Sequence, residues 1–289
     1  MKNFYHLWTP DNQQIILTCE ADFKMAMNLF ALCAAVSPGI VILTFELMDN
    51  HIHVTLFSSE NDARNFFSLF KQHLRKWLVF INRAVDLSAF ECRMRALENA
   101  QDIKNVITYN NRNGFLVNPD ETPFSYRWGA GRFFFNPDAR LRFEHEAKKM
   151  SSTERRSILR SHIADKAENI LMLDGYICPL CFCDIHSAEK YYRSASNYFY
   201  EISRNIETNK AIAQEIGEAL MYSDDELYRI TVMLSSKYYE QKSPSLLSKN
   251  DKLELARQLH YEWGASKKQL CRMLKMHIGV LDTIFQTPR

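Results

Sequence analysis

The sequence predicts an α+β fold: one antiparallel sheet that carries helices, followed by an all-α C-terminal region. Three observations point there. In the first hundred residues, apolar positions recur at period two and at helical spacing in the order strand, helix, strand, strand, helix. A turn-like Asp49-Asn50 joins two adjacent strand patterns into a hairpin. From about Asn136 the composition shifts to highly charged and helix-forming segments.

Taken in order, Phe4 to Thr9 reads as a short strand. Asp22 to Val36 is apolar at helical spacing and stops at Ser37-Pro38-Gly39. Ile40 to Leu47 and His51 to Leu56 form the hairpin. Asn61 to Val85 is a long amphipathic helix with Phe66, Phe67, Phe70, Leu74 and Leu78 on its apolar side. Residues 86–98 fit neither pattern. Ala100 to Asn113 is a further helix, with Asn113-Gly114 as its C-terminal stop. Turns follow at 118–120 and 121–123. Arg140 to Arg160 is a surface helix or a connector, and Asp174-Gly175 is a turn. Ser187 to Asn205 reads as one helix with an aromatic face, and Ser223 to Glu226 as a capping box opening the next. Lys242 to Ser245 reads as a linker.

Bulk properties bound the function. The chain has 289 residues, 46% hydrophobic and 24% charged, the balance of a globular protein with a substantial core. A net charge of +2 gives little global attraction for a polyanion. The first residues lack the continuous apolar run of a signal peptide, and no apolar stretch is long enough to span a bilayer. Seven Cys, an odd number at irregular spacing, argue against a disulfide framework and for a reducing cytoplasm. Cys178, Cys181 and Cys183 lack a second ligand pair for zinc and read as buried thiols.

His51-Ile52-His53 carries the most chemistry. On a strand, residues i and i+2 leave the same face, so two imidazoles project side by side while Ile52 and Val54 enter the core. Such a pair can supply two ligands to a divalent ion. Tyr109 and Asn113 are four apart and share one face of a helix. Asn113 offers a neutral oxygen to a hard cation, and Tyr109 a phenol. With a pKa of about 10, that phenol is a weak nucleophile without help.

The segment Phe45-Glu-Leu-Met-Asp-Asn-His-Ile-His-Val-Thr-Leu56 resembles the Met-Pro-Asn-His-Val-His stretch of IS200-like and REP-associated tyrosine transposases. Phe4-Tyr-His-Leu-Trp-Thr9 is similar to their first strand, Ile107-Thr-Tyr-Asn-Asn-Arg-Asn-Gly114 to their tyrosine helix, and Pro123-Phe-Ser-Tyr-Arg-Trp-Gly129 to the segment that follows it. The matches occur in the family's order over residues 4–130, and depart from it at Asp49 and Gly114, where the family carries proline. The resemblance implies a ferredoxin-like antiparallel sheet with helices on one face, the HUH domain. It implies Mg²⁺ or Mn²⁺ at His51, His53 and Asn113, and Tyr109 as nucleophile. It further implies a metal-dependent single-stranded DNA endonuclease and strand transferase, acting on hairpin-forming DNA through a 5′-phosphotyrosine. That makes the chain a transposase or domesticated transposase, as monomer or homodimer, in a bacterial cytoplasm. The alternative is a non-catalytic DNA-binding regulator that keeps the fold.

On this reading residues 1–136 are the catalytic domain, 137–243 a mainly helical middle region and 249–289 a helix-turn-helix-like module. From Lys249 to Arg289 there are eight Lys/Arg against four Asp/Glu. Asp251 to Trp263, Lys267 to Met276 and Ile278 to Phe285 read as its helices. Lys267, Lys268, Gln269, Arg272 and Lys275 are its candidate DNA contacts.

Overall fold

A computed structural model describes residues 1–11, 14–116, 122, 124–204, 206–217, 222–241 and 243–285. The expected turn at 118–120, most of that at 121–123 and Lys242 lie outside the described residues. The chain divides into two compact units, Met1–Phe115 with Glu121–Glu218, and Leu116–Asp120 with Ala219–Arg289. Among the described residues no helix is long and apolar enough to cross a membrane.

The first unit opens with β1 (Lys2–Trp8), α1 (Glu20–Ala35), β2 (Val41–Leu47), β3 (Ile52–Ser59), α2 (Glu60–Phe80), β4 (Arg93–Leu97) and α3 (Ala100–Leu116). The four strands form an antiparallel sheet in the order β2-β3-β1-β4. Each β-α-β crossover therefore leaves a gap that another strand fills. The expected strands and helices stand within a few residues of their sequence limits. β4 lies in the stretch that fitted neither pattern. It is a short edge strand, Arg-Met-Arg-Ala-Leu, whose arginines mask its period.

The two faces of the sheet differ in chemistry. Leu7, Phe45, Val54 and Leu56 point to one face and pack beneath α1 and α2, where Phe30 stacks on Phe45 at 4.5 Å and meets Phe66 and Phe70 edge-on. Alternation sends His6, Thr44, Glu46, His53 and Thr55 to the opposite face. This polar face is buried too, because α3 lies across it: Asn110 Nδ2 donates to Thr55 Oγ1 at 2.9 Å, and Thr44 Oγ1 donates to Asn111 Oδ1. Helices on one face only was therefore an incomplete expectation. α1 and α2 obey it, and α3 covers the other side.

The Asn113-Gly114 stop is corrected as well. α3 runs through Gly114 to Leu116. Gly114 serves close approach instead: a Cβ there would sit 2.4 Å from Tyr126 Cδ1 and 2.5 Å from Glu46 Oε2.

The unit continues with α4 (Pro137–Glu146), β5 (Lys148–Lys149), α5 (Ser152–Leu159), β6 (Leu171–Leu173), β7 (Tyr176–Ile177), α6 (Ile185–Glu189), α7 (Ala195–Arg204) and α8 (Ile206–Ile216). An all-α remainder is thus corrected by a small antiparallel sheet, β5-β6-β7. Asp174 (φ 58°) and Gly175 (φ 84°) turn between β6 and β7, and both left-handed residues suit a two-residue hairpin. The single helix expected over Ser187 to Asn205 is broken between α6 and α7.

The second unit holds α9 (Asp224–Tyr239), α10 (Lys249–Trp263), α11 (Lys267–Leu274) and α12 (Ile278–Ile284). Capping boxes open α9 at Ser223/Glu226 and α11 at Ser266/Gln269, and left-handed Gly264 closes α10. Leu255, Leu259, Leu270, Leu274 and Leu281 fill its core.

A helix-interior Gly→Ala change ordinarily stabilises by about 1 kcal/mol. Gly114→Ala reverses that sign, because the new methyl meets a buried carboxyl and a ring. The expected loss is about 1–3 kcal/mol in urea unfolding, and a stabilised variant would show that the approach is not close.

Candidate active site

The polar face of the sheet assembles a cluster of rings. His53 leaves β3 opposite Trp8 of β1 and Glu46 of β2, and His51 precedes it at the strand's start. The His51 and His53 rings are 5.0 Å apart between centroids. His6 stacks on His53 at 5.6 Å, with His53 Nδ1 3.4 Å from His6 Nε2. The Tyr109 ring stands edge-on to both, 5.5 Å from His53 and 6.3 Å from His6. The structure therefore brings together three of the four residues expected around a metal and nucleophile: His51, His53 and Tyr109. The fourth, Asn113, lies one helical turn beyond Tyr109 and is buried.

His51 is oriented by its neighbours. Asn50 Nδ2 donates to Asp11 Oδ1 at 2.7 Å, which turns the amide oxygen of Asn50 toward His51 Nδ1 at 2.6 Å. An amide oxygen only accepts, so Nδ1 carries the hydrogen and Nε2 is the lone-pair nitrogen of the neutral ring. Metal-binding imidazoles are commonly oriented this way. Among the described residues no group of three or more His, Cys, Asp or Glu is placed to hold a metal.

Access is restricted. Tyr109 is 1% exposed, His53 0% and Asn113 5%. The outer side of α3 is held as firmly as the side facing the sheet. Asn111 Nδ2 donates to Tyr198 Oη at 3.0 Å, Arg112 to the Ile202 carbonyl at 2.8 Å, Thr108 pairs with Tyr192 Oη at 2.8 Å, and Lys104 with Glu201 at 2.6 Å.

Three residues of this face escape a reading of motifs. His6 and Trp8 alternate with Leu7 along β1, and that alternation is the signal that puts them on this face. Glu46 is the third. It is 1% exposed, and its Oε2 has no hydrogen-bond partner among the described residues. It sits among glycines: a Cβ at Gly129 would come within 2.1 Å of Oε2, and one at Gly131 within 3.1 Å of Oε1. Burial drives its pKa well above the carboxylate range, against a bond from the Gly131 backbone that lowers it. No sequence spacing marks it.

The candidate DNA contacts of the second unit are mostly engaged within it. Gln269 is buried, capping α11 and donating to the Tyr222 carbonyl at 2.8 Å. Arg272 makes a two-pronged pair with Asp224 at 2.5 and 2.9 Å, and Lys267 pairs with Asp282 at 2.8 Å. Lys268 and Lys275 are exposed. α12, Ile-Gly-Val-Leu-Asp-Thr-Ile, carries no cation. The cysteines at 178, 181 and 183 are free thiols.

Glu46 has a signature in pH. Its folded-state pKa lies above the unfolded value of 4.5, so the folded chain holds the extra proton. Stability from this group is complete below that unfolded value and declines as pH rises toward the folded pKa. Glu46→Gln is expected to remove this decline, so the variant gains on the wild type in urea titrations as pH increases. Parallel curves for the two proteins would show that Glu46 is ionised in place.

No family model, no curated protein and no solved structure matches this chain.

Proposed function

We propose that the chain is an HUH-type tyrosine nuclease and strand transferase acting on single-stranded, hairpin-forming DNA, a transposase or a domesticated relative. The observation that carries the reading is the convergence of Tyr109 on the imidazoles of His53 and His6, with His51 beside them. The strand order β2-β3-β1-β4 agrees with the ferredoxin-like arrangement that goes with it. Tyr109 attacks the phosphorus of the scissile phosphodiester. The bond to the 3′ oxygen breaks, a 5′-phosphotyrosine forms, and the strand leaves with a 3′-hydroxyl. Attack by another 3′-hydroxyl reverses the step, so the bond energy is retained and no nucleotide is consumed. His51, His53 and Asn113 would hold Mg²⁺ or Mn²⁺, which supplies Lewis-acid polarisation of the phosphate when bound. The Asp11–Asn50–His51 chain fixes one imidazole for that role.

Burial of Tyr109 and His53 favours a second reading, a DNA-binding regulator that keeps the fold without the chemistry. The two separate in one experiment with labelled single-stranded hairpin DNA and Mn²⁺. The nuclease yields a covalent adduct that Tyr109→Phe abolishes; His51→Ala loses cleavage but keeps most binding, because phosphate contacts dominate affinity. Binding with no adduct in any divalent metal leaves only the regulator.

The second unit has its own test. Lys268→Glu with Lys275→Glu should weaken DNA binding without lowering the melting temperature, whereas Arg272→Ala, which breaks the pair with Asp224, should lower the melting temperature of this unit. Unchanged DNA affinity in the double variant would remove α11 from the DNA interface.

A further inference from the structure

We infer that the first unit carries a track for a single-stranded nucleic acid segment along α4, in a region to which the sequence assigned no role. The choice of polymer rests on the nuclease reading; the track itself rests on two adjoining clefts. One, of about 740 Å³, is lined by Arg142, His145, Lys148, Lys149 and Asp174. The other, of about 500 Å³, is lined by Phe124, Arg132, Phe135, Pro137, Asp138 and Arg142. Arg142 borders both.

The charges of the first cleft are unevenly engaged. Asp174 accepts from Arg142 at 2.5 and 3.1 Å and from Arg132 at 3.2 Å. Glu146 accepts from Arg142 Nε at 2.9 Å. Glu154 accepts from the backbone and hydroxyl of Ser151, both at 2.7 Å. Lys148 and Lys149 are exposed on the edge strand β5 and have no carboxylate partner among the described residues. Both lysines line the cleft beside the Arg142–Asp174 pair.

The second cleft offers ring faces. Phe124 is 44% exposed and rests on Phe199 at 4.9 Å, which fixes its orientation. Phe135 is held at φ 50°, a strained conformation for a bulky aromatic, by a 2.6 Å bond from its N–H to Glu189 Oε1 and by packing on Tyr192 and Tyr198. α4, which lines both clefts, has no buried residue. Cations beside oriented aromatic faces match the two needs of a single strand, its phosphates and its unstacked bases. A duplex keeps its base faces stacked inside and cannot use the second cleft.

The test is fluorescence anisotropy of the full chain with a labelled oligothymidylate of about twenty nucleotides, over roughly 50–200 mM salt. K148E/K149E should weaken binding roughly tenfold and reduce the salt slope by about 1.4, the value for two single-strand phosphate contacts. F124A should weaken it by a similar factor with little change in slope. Thermal unfolding of each variant confirms that the fold is kept; should F124A fail to fold, Phe124→Leu, which keeps the packing on Phe199 and lacks the ring face, replaces it. Unchanged affinity and slope in K148E/K149E overturn the inference, as does a chain that binds no oligonucleotide. Equal binding of a duplex, with Phe124 variants silent, overturns the single-strand assignment. The outcome is separable from that of the nuclease reading. Lysine-dependent binding with no covalent adduct keeps the track and removes the enzyme, and an adduct with lysine-independent binding does the reverse.

Discussion

The clamp between α3 and the polar face of the sheet is the constraint on which the first unit depends. His6, Thr44, Glu46, His53 and Thr55 occupy the face that an antiparallel sheet can leave to solvent, yet all are buried. Unpaired polar groups in such a place are costly, so the helix that covers them must supply partners. α3 does so for Thr44 and Thr55 with a polar run, Asn110-Asn-Arg-Asn113, that follows its buried Ile103, Val106 and Ile107. Asn110 and Asn111 reach down to Thr55 and Thr44, and Asn111 and Arg112 reach up to Tyr198 and Ile202. A helix buried on two sides by polar contacts has one register only. A shift of one residue would present Tyr109 or Arg112 where an amide is needed.

This explains what the sequence could and could not convey. Strands β1, β2 and β3 and helices α1 and α2 were legible because one side of each is apolar at the proper period. Strand period puts His51 and His53 on one side of β3, and helix period puts Tyr109 and Asn113 on one side of α3; that the two pairs meet was an implication of the family resemblance, which neither period supplies. The cover over that place was not legible. Alternation assigns His53 and Thr55 to the side away from the core, and nothing in a one-dimensional pattern says that this side is also dry. Glu46 was hidden for the same reason: in a strand it reads as an outward residue, and only Gly114, Gly129 and Gly131, distant from it in sequence, turn its position into a closed pocket. Gly114 after Asn113 looked like a helix stop because that is its common role. Here the lack of a side chain matters, and the backbone stays helical. Arg272 and Lys267 looked like a DNA-reading face because a sequence cannot show that Asp224 and Asp282 stand opposite them.

The same clamp sets the terms on which chemistry can occur. On the nuclease reading, a phosphodiester would have to reach a phenol that is 1% exposed, so the proposed cleavage requires α3 to part from the sheet. If α3 moved alone, it would break the bonds of Asn110 and Asn111 to the strands and also those that join Lys104, Thr108, Asn111 and Arg112 to the Tyr192–Ile202 stretch. If α7 and Tyr192 moved with it, only the first group would be lost, and the groups exposed, His6, His53 and Tyr109, are those that a phosphate and a cation would engage. The polar lining thus lowers the cost of opening relative to an apolar core, since water can satisfy the freed amides and imidazoles.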